Sequence, residues 1–169
     1  MTPVTDTGDP TFLPPELELA DDDRVESVTE VRTSGFDGVG TRREARERAL
    51  ALLYEAEQKE LTPPAAVLAT LPVAPEPYAA ELVAGVSDHQ AAIDELLGRY
   101  SVGWTVVRMP AIDRTVLRIG AWELGHTDVP VGAVISEAVE LAKRYSTDDS
   151  HTFVNGLLSR LADELRPEG

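Results

Sequence analysis

The stretch TRREARERALALLYEAEQ at residues 41–58 sets the fold class, because its small and apolar side chains recur at the spacing of one helical face. The inward-facing positions are predicted to be Ala45, Ala49, Leu52, Leu53 and Ala56. Thr41 is followed three residues later by Glu44, a capping-box pattern in which each side chain bonds a free backbone N–H at a helix start. The sequence therefore predicts an amphipathic helix that begins at Thr41.

The same periodicity continues towards the C-terminus, in segments separated by short links that contain proline or glycine. Further helices are predicted near residues 62–71, 78–100, 110–125, 130–145 and 149–165. Val, Trp and Thr at 102–107 favour a strand, but one short strand without a partner cannot form a sheet, so a turn and helix start are predicted there. The side chains predicted to be core include Tyr54, Trp104 and Trp122. The chain is therefore predicted to be all-α, a compact bundle of about seven helices.

Residues 1–40 differ from the rest of the chain in composition. They hold four prolines, three consecutive aspartates and a glycine-rich exit, and they carry a net charge of −8 out of −15 for the whole chain. High charge with few aromatic residues is typical of disordered segments. We therefore predict a disordered acidic tail and linker over 1–40, one helical domain over 41–165, and a short C-terminal tail over 166–169.

Several classes of protein are disfavoured by what the sequence lacks. It has no cysteine, so disulfides and thiolate metal sites are excluded. It shows neither an apolar run long enough for a membrane span nor the pattern of a signal peptide. No nucleophile elbow, P-loop or zinc-peptidase motif is present, and the three histidines lack metal-ligand spacing. We expect a cytoplasmic, non-enzymatic protein without a cofactor, a metal or a membrane association.

The first candidate for a functional site is a cluster of basic side chains at the predicted start of the first helix. Its members are Arg42, Arg43, Arg46 and Arg48. A helix N-terminus offers free N–H groups that favour anions, so basic side chains there could form a phosphate site. The alternative is a solvated face with i,i+4 ion pairs between residues 43 and 47 and between residues 44 and 48. The residues alone leave both interpretations open.

The second candidate is the segment DDSHTFVNG at residues 148–156. Either aspartate can cap the last helix. Phe153 could belong to the core or could stack on an unpaired base, and Asn155 could bond either a base or the backbone. Gly156 inside a helix costs about 1 kcal/mol relative to alanine, so close packing at that position is expected.

Taken together, these segments resemble the NusB family. The opening helix matches the family's arginine-rich first helix, which ends in a Leu–Tyr pair, here Leu53–Tyr54. AIDRTVLRIGAWEL at residues 111–124 matches its Leu–Arg–Ile helix. VPVGAVISEAVELAKRYSTDDSHTFVNGLL at residues 129–158 matches its most distinctive block. The resemblance covers nearly all of residues 41–165 in the family's order.

The resemblance implies a seven-helix transcription antitermination factor. Such proteins bind boxA-type single-stranded RNA of ribosomal RNA operons jointly with the ribosomal protein NusE, and they promote read-through by RNA polymerase with other Nus factors. The RNA-binding residues it implies are Arg42, Arg43 and Arg46 in the arginine-rich motif, Lys143 and Arg144 as phosphate contacts, and Asp149, Ser150 and Phe153 at the start of the last helix. The acidic face around Asp113 is implied as a partner surface.

Two departures from the family pattern and one alternative function accompany this resemblance. Glu44 stands where a basic residue can occur in the arginine-rich motif, which lowers the local positive charge. The acidic extension 1–40 has no counterpart in the usual pattern, and we hypothesise that it competes with RNA for the arginine cluster. The alternative function is a homodimeric protein-interaction module that hides its arginine face and does not bind RNA directly.

Overall fold

The computed structural model describes the backbone of residues 37–167 and the side chains of residues 42–167. Its five α-helices and two 3₁₀ helices are α1 (Asp37–Gln58), a 3₁₀ helix (Pro64–Thr70), α2 (Pro77–Tyr100), a second 3₁₀ helix (Val106–Arg108), α3 (Ala111–His126), α4 (Val131–Tyr145) and α5 (Ser150–Leu165). The described residues contain no strand, which confirms the all-α prediction and the turn predicted at 102–107. Residues 1–36 of the predicted tail 1–40 and residues 168–169 of the predicted tail 166–169 lie outside the described residues, whereas residues 37–40, predicted as linker, belong to α1.

Helix α1 begins at Asp37, four residues before the predicted start. Thr41 therefore lies inside the helix, and the prediction that it caps the first turn is wrong. A capping box marks where a helix can begin, but helical hydrogen bonds can continue upstream where no proline intervenes. As a result, the arginines of α1 do not sit in its first turn, and their backbone N–H groups are not free to bind an anion.

Prolines set the starts of the three helices that follow. α2 begins at Pro77, and Pro110 and Pro130 directly precede α3 and α4. A proline ring fixes φ near the helical value and lacks the N–H that the first turn would leave unbonded. At α2, the side chain of Glu76 accepts a hydrogen bond from the N–H of Ala79 at 3.1 Å. These local signals explain why the predicted helix starts after the first one lie close to the observed ones.

Helix α3 is the centre of the bundle, since it packs against α2, α4 and α5 and buries residues around its whole circumference. Two glycines allow this close packing. A Cβ on Gly85 would lie 2.1 Å from Cε2 of Trp122, and a Cβ on Gly120 would lie 2.8 Å from Cδ1 of Leu158. The five inward positions predicted for α1 are all buried, and so is Trp122.

Three predictions about packing are wrong. Trp104 is 47% exposed because it lies in the link after α2, where helical spacing has no meaning, and Tyr54 is 38% exposed at the edge of the apolar stripe of α1. Gly156 is not required by close packing, because a Cβ there would meet only Nη1 of Arg160, at 3.4 Å. Tyr54 borders an apolar groove, and Trp104 borders a small pocket beside Phe153.

Candidate nucleic-acid interface

Two of the predicted RNA-binding arginines are exposed on α1. The guanidinium carbon of Arg42 lies 4.6 Å from the centre of the Tyr78 ring, a cation–π contact. Arg43 donates from Nε and Nη2 to the two carboxylate oxygens of Glu137, at 3.0 and 2.8 Å. This hydrogen bonding raises the pKa of Arg43, while its side chain stays 55% exposed. Arg43 thus pairs with Glu137 on α4. The solvated-face interpretation of the sequence had paired it with Glu47 on its own helix.

Arg46, which the family resemblance implies as an RNA contact, lies beneath the surface of the described residues. Arg46 is 5% exposed, and its Nε lies 3.0 Å from each carboxylate oxygen of Glu123, which is itself buried on α3. Position 46 lies three and seven residues before the buried positions 49 and 53, so the helix turns it towards α3. That spacing, together with a glutamate inside the apolar α3, is the signal that could have shown its burial.

Tyr78 connects this buried pair to the surface. Its hydroxyl donates to Oε2 of Glu123 at 2.6 Å. Burial first, and then this hydrogen bond, raises the pKa of Tyr78, so its hydroxyl remains a neutral donor. The ring that the hydroxyl anchors is the ring over which Arg42 lies. Arg46 is therefore a positioning residue, which holds Glu123 and Tyr78 in place beneath Arg42.

A second basic group lies in the last turn of α4, where the helix dipole stabilises positive charge. Lys143 and Arg144 are both exposed. Arg144 Nη1 lies 3.3 Å from Oε2 of Glu47 on α1, and the guanidinium lies 5.6 Å from the centre of the Tyr145 ring. The two phosphate contacts implied by the family resemblance are thus accessible, but one of them is already paired with a carboxylate.

Two predicted contact residues, Ser150 at the start of α5 and Asp113 near the start of α3, are buried. Ser150 is 2% exposed and donates from Oγ to Oδ2 of Asp113 at 2.9 Å, and Ser146 donates to the other carboxylate oxygen. Asp113 is itself only 3% exposed. The Ser150 side chain, implied as an RNA contact, and the Asp113 carboxylate, implied as a partner contact, are therefore bonded to each other beneath the surface. Hydroxyl donors offset the desolvation of this carboxylate, which joins the start of α3 to the α4–α5 link.

Asp149 and Phe153 remain accessible. Asp149 is exposed at the N-cap position of α5, but its side chain makes no capping hydrogen bond. Phe153 is half-buried, so it packs partly on the core and partly against the exposed Trp104, with the two ring centres 6.1 Å apart. Trp104 is a candidate that sequence reasoning missed, because it was assigned to the core.

The two accessible groups lie near opposite ends of α3. The Arg42–Tyr78 group contacts it through Glu123, and the Phe153 group lies beside Asp113. Asp113 and Glu123 are ten residues apart, which corresponds to about 15 Å of helix at 1.5 Å per residue. A ligand that contacts both groups must therefore span at least about 15 Å.

An apolar groove, about 450 Å³ in volume, lies between α1, α3 and α4. It is lined by Leu50, Ala51, Tyr54, Ile112 and Tyr145, with Glu44, Glu47 and Arg48 at its rim. Within residues 37–167, no group of three or more His, Asp or Glu side chains is arranged to hold a metal ion. None of the described helices is both long and apolar enough to cross a bilayer.

Comparison with known proteins agrees with the family resemblance of the sequence. The model of the NusB family matches residues 43–163. The transcription antitermination protein NusB of Arthrobacter sp. (strain FB24) is 50% identical over 133 residues, which span 76% of this chain and 97% of that protein. The protein of the same name from Beutenbergia cavernae is 50% identical over 147 residues, 77% of this chain and 96% of that protein.

Solved structures agree with these relatives. T. maritima NusB superimposes with a TM-score of 0.69 at 32% identity, covering 75% of this chain and 94% of that one. A chain from the crystal structure of the antitermination factors NusB and NusE in complex with dsRNA superimposes with a TM-score of 0.62 at 27% identity, covering 73% of this chain and 96% of that one. On the sequence, the fold and the length matched, this chain belongs to the NusB family.

Proposed function

We propose that this chain is a cytoplasmic, non-enzymatic transcription antitermination factor. It binds boxA-like single-stranded RNA of ribosomal RNA operons together with a NusE-type ribosomal protein, and with other Nus factors it promotes read-through by RNA polymerase. Its curated relatives carry the name transcription antitermination protein NusB, and one similar structure holds NusB and NusE with RNA. The observation that carries the proposal is the exposure of Arg42 and Arg43 side by side on α1, each held in place by a neighbouring side chain.

The electrostatics of this surface predict weak RNA binding by the chain alone. Arg43 and Arg144 are each paired with a carboxylate, and the whole chain carries a net charge of −15. Exposed ion pairs contribute only about 0–1 kcal/mol, so a phosphate can replace the carboxylate at little cost. Charges farther away than about 8 Å are largely screened at physiological salt. Two or three exposed cations can therefore hold RNA, but a partner must supply most of the affinity.

We assign the NusE-type partner to the apolar groove. Tyr54 and Tyr145 stand exposed at its edges, and tyrosine is enriched at protein interfaces. Glu44 and Glu47 at its rim favour a basic protein, which a ribosomal protein commonly is. The family resemblance implies a partner surface around Asp113, and the groove lies next to it, since its member Ile112 is one residue before Asp113.

The RNA part of the proposal is tested with the double variant Arg42→Ala, Arg43→Ala. Each lost phosphate contact lowers the slope of log K against log salt by about 0.7 for a single strand, so a decrease of about 1.4 is expected along with weaker binding. The matched control is Lys59→Ala, Arg99→Ala, which removes the same charge from exposed ion pairs elsewhere. Equal losses in the two variants would show a general charge effect and contradict the proposal.

The partner part is tested by measuring mass in solution, with and without RNA and the ribosomal protein. Tyr54→Glu is expected to abolish the heterodimer, whereas Val73→Glu, at a 76% exposed position outside the groove, is expected to preserve it. Joint binding of RNA and partner must be far tighter than either alone. If the chain instead forms a homodimer that Tyr54→Glu dissociates and that binds no RNA, the interaction-module alternative is correct.

A further inference from the structure

Trp104 is held in an exposed position by its surroundings. Ser101 Oγ donates to the backbone carbonyl of Trp104 at 2.6 Å, and Gly103 adopts a φ of +86°, which glycine accommodates without strain. Arg114 of α3 donates to the carbonyl oxygens of Val106 and Met109, at 3.2 and 2.7 Å. These bonds attach the link that follows Trp104 to α3. A large apolar ring is thus kept 47% exposed on a fixed support.

The Trp104 and Phe153 rings form one side of a small pocket. Their centres are 6.1 Å apart and their planes are inclined by 39°, so the pair is not a closed stack. The pocket is about 270 Å³ in volume, and Pro110, Thr147 and Asp149 also line it. Pockets for drug-sized ligands span about 300–1,000 Å³, so this one suits a single planar ring.

The polar groups of the pocket select the chemistry of that ring. Asp113 and Asp149 both line it, and carboxylates repel phosphate but accept hydrogen bonds from amino groups. Both oxygens of Asp113 already accept from Ser146 and Ser150. Among the described residues, the carboxylate of Asp149 has no hydrogen-bond or ion-pair partner, so it is the acceptor available to a ligand.

We infer that this pocket, here named the Trp104 pocket, binds one unpaired RNA base that carries an exocyclic amino group. Trp104 stacks on the base, and Asp149 accepts a hydrogen bond from the amino group, as aspartate does from cytosine N4. Uracil, which has no amino group, is disfavoured. The inference rests on the proposed RNA-binding function and adds a stacking residue and a base preference to it. The pocket lies near the opposite end of α3 from Arg42, so an RNA strand that reaches both sites must span at least about 15 Å.

The first test compares Trp104→Ala with Trp104→Phe, in the full chain together with its ribosomal partner. Loss of one stacked base weakens RNA binding by about 5- to 150-fold on replacement by alanine. Phenylalanine keeps an aromatic face and should retain most of the affinity. Since no cation is removed, the salt slope should stay unchanged, which separates this loss from that of the Arg42 and Arg43 variant. Melting temperatures of both variants check that the fold is intact.

The second test uses the fluorescence of the two tryptophans in the chain. Trp104 is 47% exposed and Trp122 is 6% exposed, so quenching by acrylamide reports mainly on Trp104. A boxA-like RNA should protect the wild-type chain from acrylamide, and this protection should be absent in Trp104→Phe, which retains only the buried Trp122.

The third test identifies the base. In a series of boxA-like RNAs, each nucleotide in turn is replaced by an abasic one. At a single position, the replacement should remove the difference in affinity between the wild type and Trp104→Ala. Uridine at that position should weaken wild-type binding, and Asp149→Asn should reduce the discrimination against uridine, since an amide can both donate and accept.

Each result decides between defined outcomes. Unchanged RNA affinity of Trp104→Ala, with no protection from acrylamide, overturns the inference, while a loss confined to the Arg42 and Arg43 variant leaves the proposed function intact. Weaker binding of the ribosomal protein with unchanged RNA contact would make Trp104 a protein contact and also overturns it. If the wild-type complex binds no RNA at all, both proposals fail.

Discussion

Replacing Arg46 by alanine should destabilise the fold, although the family resemblance places this residue in the RNA-binding motif. The Arg46 and Glu123 side chains are 6% and 1% exposed, and three distances of 3.0, 3.0 and 2.9 Å join them. Removing the guanidinium leaves the Glu123 carboxylate buried with only the Tyr78 hydroxyl, at 2.6 Å, to satisfy it. Breaking a buried ion pair costs about 3–5 kcal/mol. We expect a cost near the lower end of this range, because the Tyr78 hydroxyl still donates to the Glu123 carboxylate.

A loss of about 3 kcal/mol is a large fraction of the 5–15 kcal/mol that stabilises a typical domain. For a chain of this size, it corresponds to a decrease in melting temperature of about 6–12 °C. The assay is urea and thermal unfolding, followed by circular dichroism. The matched control is Arg42→Ala, which removes an exposed guanidinium of the same kind and should cost no more than about 1 kcal/mol, the value of its cation–π contact.

A second variant tests whether the loss of stability comes from the unpaired Glu123 carboxylate. Replacing Arg46 by Met, Glu123 by Met and Tyr78 by Phe removes the whole network, and an apolar replacement of a buried ion pair is commonly neutral or stabilising. This triple variant should therefore be clearly more stable than Arg46→Ala alone. The reasoning would be refuted if Arg46→Ala unfolded like Arg42→Ala and lost RNA affinity with a reduced salt slope, since Arg46 would then be a direct phosphate contact.

Three further predictions concern packing and pH. Gly85→Ala should destabilise the protein by at least about 1–3 kcal/mol, because its Cβ would lie 2.1 Å from Trp122; an unchanged urea midpoint would contradict this. Gly156→Ala should raise stability by up to about 1 kcal/mol through helix propensity, since its Cβ meets only the end of the Arg160 side chain at 3.4 Å; a loss of stability would contradict this. Burial first, and then the neighbouring His89, lowers the pKa of His126 below 6.5, so the unfolded chain binds more protons and stability should fall as the pH drops below about 6.5. His126→Asn should flatten this dependence between pH 7 and pH 5, and an identical slope in the variant would exclude His126 as its source.

Much of the basic surface could be predicted from the sequence, but its organisation could not. The exposure of Arg42, Arg43, Lys143 and Arg144 is the ordinary behaviour of charged side chains, which are rarely buried. The carboxylates that accompany them could not be predicted, because Glu137 lies 94 residues from Arg43 along the chain. The weak RNA binding that we predict for the chain alone thus depends on contacts between helices and not on any one segment.

By itself, the sequence determined the helical class, most of the helix boundaries and the inward face of α1, because periodicity, prolines and capping residues act within a few positions of each other. Only the tertiary structure decided that Arg46, Asp113 and Ser150 are buried and that Trp104 is exposed. A polar side chain can enter a core only where a partner meets it, and Glu123 reaches Arg46 from 77 residues away. The physical reason is that helix formation is a local equilibrium, whereas the burial of a charge depends on what the rest of the chain brings against it.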